Sequence, residues 1–109
     1  MSHHEFPDFD YELAPLLAEI PGWKDVSWHN DTMPCAALTD DANIRLWFDY
    51  ADPAKSEHAE YRADGTMRRF CLADCEGITW FQTDRWGEMV AYIRNNDIAI
   101  DAYATRAAS

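Results

Sequence analysis

Six side chains, His29, Asp31, Cys35, His58, Cys71 and Cys75, are of the types that hold zinc, a metal that takes thiolate sulfur, imidazole nitrogen and carboxylate oxygen. Their spacing does not chelate. Cys71 and Cys75 are one residue further apart than a Cys-x-x-Cys pair, and an extended chain would hold them roughly 13 Å apart unless the turn at 74–77 folded Cys75 back. The simpler reading is that the cysteines are packed small apolar groups, a common role for this residue type. No metal and no cofactor is expected.

Covalent catalysis would need a nucleophile beside a base: Ser27 or Cys35 with His29, oriented by Asp31 or Asp49. Nothing in the chain supplies a nucleophile elbow or an oxyanion hole. The glycines, Gly22, Gly65, Gly77 and Gly87, suit turns and helix ends and form no phosphate cradle. Asp40 and Asp41 are adjacent carboxylates, but they stand in the polar turn Thr39-Asp40-Asp41, where Asp is favoured for its hydrogen bonds to nearby backbone. An enzyme is not expected.

Binding chemistry has more support. From Asn43 to Tyr50 the chain alternates, with Ile44, Leu46, Phe48 and Tyr50 on one side and Asn43, Arg45, Trp47 and Asp49 on the other, the period of a half-buried β-strand. Arg45, Trp47 and Asp49 would project from the face opposite the core, with Arg68 or Arg69 from a neighbouring strand. Trp and Arg are enriched at energetic hot spots of interfaces. The expected binding set is Arg45, Trp47, Asp49 and Arg68, with Asp40 and Asp41 from the adjoining acidic turn. The competing reading is that Trp47 is covered by the N-terminal arm or by arginine stems.

These residues need a scaffold. Residues 1–9, with Phe6, Pro7 and Phe9, read as a flexible arm that lays its aromatics on the body. Leu13, Leu16, Leu17 and Ile20 predict a helix within 10–20, bent or started late by Pro15 and stopped by Pro21-Gly22. Strands are expected at 25–29, 35–39, 43–50, 57–63, 66–73 and 78–83, with Asp64-Gly65 as a tight hairpin turn. Trp86, Met89, Val90 and Ile93 fall at helical spacing, with Thr83 or Asp84 as the cap. The Ala-rich stretch from Ile98 predicts a second helix or tail over 98–109. The sum is an α+β, two-layer domain over 10–97, an antiparallel four- to five-stranded meander packed on one face by an N-terminal and a C-terminal helix.

Charge narrows the partners. The net charge of −11 repels nucleic-acid phosphates, so no direct nucleic-acid contact is expected. Residues 1–41 carry nine carboxylates against Lys24 alone, a surface suited either to solubility or to docking a basic protein. No apolar run approaches the ~18 residues of a membrane span. Three cysteines, an odd number, suit a reduced, cytoplasmic setting.

In size, acidity and aromatic content the chain resembles the inhibitors of nucleases: immunity proteins, antitoxins and anti-restriction or anti-CRISPR proteins. That resemblance rests on no residue motif. It implies an interaction or inhibitor protein with a protein partner, basic or nucleic-acid-handling. The alternative is a homo-oligomeric structural or accessory component, a homodimer for example, that uses the Ala-rich end. A small enzyme or metal-binding protein built on His29 and the cysteines is the third reading.

Overall fold

A computed structural model describes residues 3–38 and 43–106 of the chain. In chain order they form α1 (Ala14–Leu17), β1 (Lys24–Asp25), β2 (Cys35–Ala37), β3 (Ile44–Phe48), a 3-10 turn (Pro53–Lys55), α2 (Ala59–Asp64), β4 (Phe70–Asp74), β5 (Thr79–Thr83), α3 (Trp86–Asn95) and α4 (Asp97–Arg106). The class is α+β. All five strands join one antiparallel sheet in the order β1-β2-β3-β4-β5.

The alternation around β3 becomes burial: Ile44, Leu46 and Phe48 are fully buried, while Arg45 and Trp47 are half-buried. In-register partners share a face, so Leu46 lies beside Ala36 and Leu72, and Phe48 beside Phe70. The Phe48 ring meets Phe70 at 5.9 Å edge-on and Trp86 at 5.6 Å. Met89, Val90 and Ile93 of α3 and Ile100 of α4 enter the same core. On β5 a register shift opposite Leu72 and Ala73 leaves Phe81 paired with Leu72, and the Phe81 ring stacks on Tyr92 at 4.5 Å. Phe6 and Phe9, from the first nine residues, are also buried in this core.

The helix expected within 10–20, started late by Pro15, is α1, a single turn from Ala14 that buries none of its own residues; Leu13 before it and Ile20 after it are buried instead. Pro15 cannot donate a helical hydrogen bond, and Pro21-Gly22 follows at once. The stretch expected as a strand over 57–63 is the helix α2. Its composition of Ala59, Glu60, Arg62 and Ala63 favours a helix, and Asp64-Gly65 ends it: Gly65 takes the left-handed conformation (φ 83°) at the C-cap, and the Asp64 carboxylate accepts the Thr66 N–H. An Asp-Gly pair suits a helix end as well as a hairpin. The strand that follows is accordingly shorter, beginning at Phe70. Neither Thr83 nor Asp84 caps α3; Arg85 occupies the cap position. Thr83 Oγ1 accepts the Arg85 N–H and donates to Glu88, and Asp84 is drawn to Arg68 and Arg69.

Candidate functional site

Arg45 and Trp47 stand on the sheet face turned away from the core. Trp47 pairs with Cys35 on β2 and with Cys71 on β4, and Arg45 pairs with Ala73, so these side chains form one patch. With Asp31, Asn43, Asp74, Cys75 and Gly77, Arg45 and Trp47 line an open concavity of about 480 Å³. The Arg45 guanidinium also donates to Cys35 Sγ at 3.7 Å. The hollow therefore combines an aromatic ring and a cation with the Asp31 carboxylate, a mixture suited to peptide or side-chain recognition, while the Asp74 carboxylate already accepts from the Glu76 and Ile78 N–H groups and the Trp80 indole. The N-terminal aromatics do not cover Trp47: Phe9 packs with Tyr11 at 4.3 Å and Tyr50 at 5.1 Å, in the core. Asn43 was legible as a member of this face from its phase with Arg45 and Trp47. Asp31 was not, because the loop between β1 and β2 delivers it.

Asp49 is corrected from an exposed binding residue to a buried structural one. The strand ends at Phe48, and the Asp49 carboxylate turns inward, leaving 1% of its side chain accessible. Its Oδ2 accepts from Arg62 and from Ser56 Oγ, both at 2.7 Å, and its Oδ1 accepts the Tyr50 N–H at 2.9 Å. Its carbonyl accepts from the Tyr11 hydroxyl at 2.6 Å. Burial pushes the Tyr11 phenol well above its ordinary range, the nearby Arg69 guanidinium notwithstanding. This network ties α2 and the N-terminal segment to the end of β3.

Arg68 is likewise removed from the Trp47 face. It precedes β4, is exposed, and pairs with Asp84 at 3.0 Å, with about half of each side chain in solvent. Such exposed pairs contribute little to stability. Asp40 and Asp41 lie outside the described residues.

The other candidates are dispersed or tied up. Ser27 Oγ donates to Asp25 rather than to His29, and accepts the Cys35 N–H at 3.0 Å. His29 lies 3.7 Å from Glu5, and His58 3.3 Å from Thr32. Cys35 is buried, Cys71 half-buried and Cys75 exposed, all as free thiols. Burial pushes the Cys35 thiol up to about 11 against the pull of Arg45, and burial also raises Cys71. Both are thereby poor nucleophiles at neutral pH.

Among the described residues, His3, His4 and Asp25 are the three metal-ligand types brought closest together. Their hydrogen bonds oppose a metal there. His3 Nδ1 accepts the Glu5 N–H at 3.0 Å, so its proton resides on Nε2, which donates to Asp25 at 2.6 Å. A metal at Nε2 would have to displace that proton while Nδ1 still faced a donor. Burial alone would raise Asp25, but hydrogen bonds from Ser27 and His3 outweigh it and hold the carboxyl below its ordinary value. The carboxylate sits between imidazole and hydroxyl, so the group adjoining Ser27 Oγ is Asp25 and not a histidine.

The chain matches no known family model, no curated protein and no solved structure.

At another part of the surface Asp8, Asp10 and Glu57 crowd Tyr50, whose phenol is raised first by burial and then by these charges. Asp10 accepts the N–H groups of Ala51 and Asp52 at 2.9 and 2.8 Å, and Lys55 reaches the Asp8 carbonyl at 3.2 Å. Among the described residues no helix is long and apolar enough to cross a membrane.

Proposed function

We propose that the protein is a small acidic interaction or inhibitor protein that binds a protein partner through the Trp47 face of its sheet. The observation that carries this reading is a half-buried Trp beside an Arg in an open hollow, on the side of the sheet that the core does not use. A tryptophan left accessible in this way is an anchor a partner can desolvate, and desolvated Trp and Arg supply most of the energy at many interfaces. In this reading the segments at the two ends of the chain, α1 with its flanks and α3 with α4, form a layer on the core face and leave the other face for the partner. The net charge of −11 supports a basic partner, a nucleic-acid-handling protein in the cytoplasm, and opposes direct contact with nucleic acid. That is also the character of immunity, antitoxin and anti-CRISPR proteins.

The test is a substitution, Trp47→Ala, in a chain whose fold is checked by circular dichroism. The partner captured by the native protein should be lost. Retention of the partner would remove Trp47 as anchor. Self-association through the C-terminal end is the second reading, and Ile98 of α4 favours it, being 84% exposed.

A further inference from the structure

The Tyr50 ring packs on Phe9 at 5.1 Å, and only 8% of the residue is accessible. Its backbone N–H and carbonyl are both taken, by Asp49 and Arg62. Its hydroxyl is not. Among the described residues that hydroxyl makes no hydrogen bond, and it opens into a hollow of about 300 Å³ that Asp8 and Lys55 also line. A hydroxyl oxygen in this position keeps its lone pairs for a ligand's donors.

Burial first, and then the charges of Asp8, Glu57 and Asp10, raise the Tyr50 phenol, so these three carboxylates all act at the hydroxyl. Asp10 is held by the Ala51 and Asp52 N–H groups. The carboxylates of Asp8 and Glu57 enter no ion pair among the described residues. Lys55, the cation that lines the hollow, donates to the Asp8 carbonyl at 3.2 Å, and its charge bears on Asp10. Asp8 and Lys55 continue into an adjoining hollow of about 440 Å³ along residues 7–12, where Glu12 adds a further carboxylate.

We propose that the Tyr50 hollow receives an arginine side chain of a partner protein, its guanidinium donating to the carboxylates of Asp8 and Glu57 and to the Tyr50 hydroxyl oxygen. A metal ion does not suit these residues, because Asp8, Asp10 and Glu57 do not converge to within 4.8 Å of one another as the ligands of one ion do. A guanidinium presents five N–H donors in a planar fork and reaches separated oxygens at once, whereas the lysine ammonium is a point charge. Hydrogen bonds between charged partners are also the short and strong ones. None of these residues lines the Trp47 hollow. The inference rests on the reading of a basic protein partner and names a side chain that such a partner presents.

The probe is N-acetyl-arginine amide, titrated into the isotopically labelled full chain at low salt and followed by NMR. N-acetyl-lysine amide and the amide of N-acetyl-citrulline, which keeps the shape of arginine without its charge, run beside it. The arginine derivative should shift the amides of Asp8, Tyr50 and Glu57 saturably and bind about threefold or more tighter than the lysine derivative. Citrulline should give no saturable shift. Tyr50→Phe keeps the ring on Phe9 and should weaken binding severalfold with the fold intact by circular dichroism; Asp8→Asn combined with Glu57→Gln should abolish it. Equal binding of the arginine and lysine derivatives would overturn the proposal, since charge alone would then suffice. Shifts confined to other surfaces, or undiminished binding by Tyr50→Phe, would overturn it as well. So would a saturable response of the same amides to calcium at lower concentrations than to the arginine derivative, which would make the hollow a metal site. The probe needs no partner protein, so this titration and the Trp47→Ala capture experiment fail independently.

Discussion

Asp49 and Arg62 meet at 2.7 Å with 1% and 6% of their side chains exposed, a buried ion pair between the end of β3 and α2. Arg62 also donates to the Tyr50 carbonyl at 2.8 Å. Burying such a pair gives little net stability, but removing one partner strands the other's charge. Asp49→Ala and Arg62→Ala should each cost about 3–5 kcal/mol. Urea titrations of the two variants and of the double variant check this. A double variant less damaged than the sum of the singles is the expected result; costs under about 1 kcal/mol would show that solvent reaches the pair.

Phe48→Ala should cost about 3–5 kcal/mol, because the ring is fully buried between Phe70 and Trp86 and its loss leaves a cavity. Arg45→Ala, one side over on the same strand, should cost much less, about 1 kcal/mol or below. Comparing these two unfolding midpoints tests the one-faced sheet. Asp49 is unsuited as the polar control, since it belongs to the buried network.

Thiol accessibility should rank Cys75 first, Cys71 second and Cys35 last. Cys75 is exposed, whereas burial raises the pKa of the other two, Cys35 to about 11. Titration with an aromatic disulfide at neutral pH should modify Cys75 rapidly and Cys35 only when the chain unfolds. Early modification of Cys35 would mean that the edge formed by β1 and β2 opens readily.

Asp10 is held below the ordinary aspartate range: burial would raise it, but the Asp52 and Ala51 N–H groups and Lys55 prevail. A carboxyl depressed on folding contributes stability that is present above its unfolded pKa and is lost as pH falls through the folded one. The destabilisation caused by Asp10→Asn should therefore be largest at neutral pH and shrink below pH 3.8. Denaturant curves of native and variant chains across that range provide the measurement, and the difference between them cancels the effect of overall charge.

Much of this fold was legible where local pattern and tertiary burial agree. The alternation at β3 and the spacing of Met89, Val90 and Ile93 were both converted into core, because each period matches its element. Legibility failed where a dipeptide serves two structures: Asp64-Gly65 suits a hairpin by composition, and only the helix formers before it decide the outcome. Asp49 was misplaced for a different reason. Strict alternation assigns it to the outer face, but β3 stops one residue earlier, and the three donors that draw the carboxylate inward come from Tyr50, Ser56 and Arg62. Of the candidate site, Arg45 and Trp47 were legible from phase, while Asp31 and Cys75 arrive from turns whose path the sequence does not reveal.

The Trp47 face as a protein-binding surface is tested most directly by quantitative affinity capture from the native host, with the native chain and Trp47→Ala compared side by side at matched folded concentration. A specific protein should be enriched by the native chain and depleted about tenfold or more by the substitution, the loss expected for a hot-spot residue. Equal recovery of that protein by both chains, or recovery of the chain's own copies alone, would contradict the account.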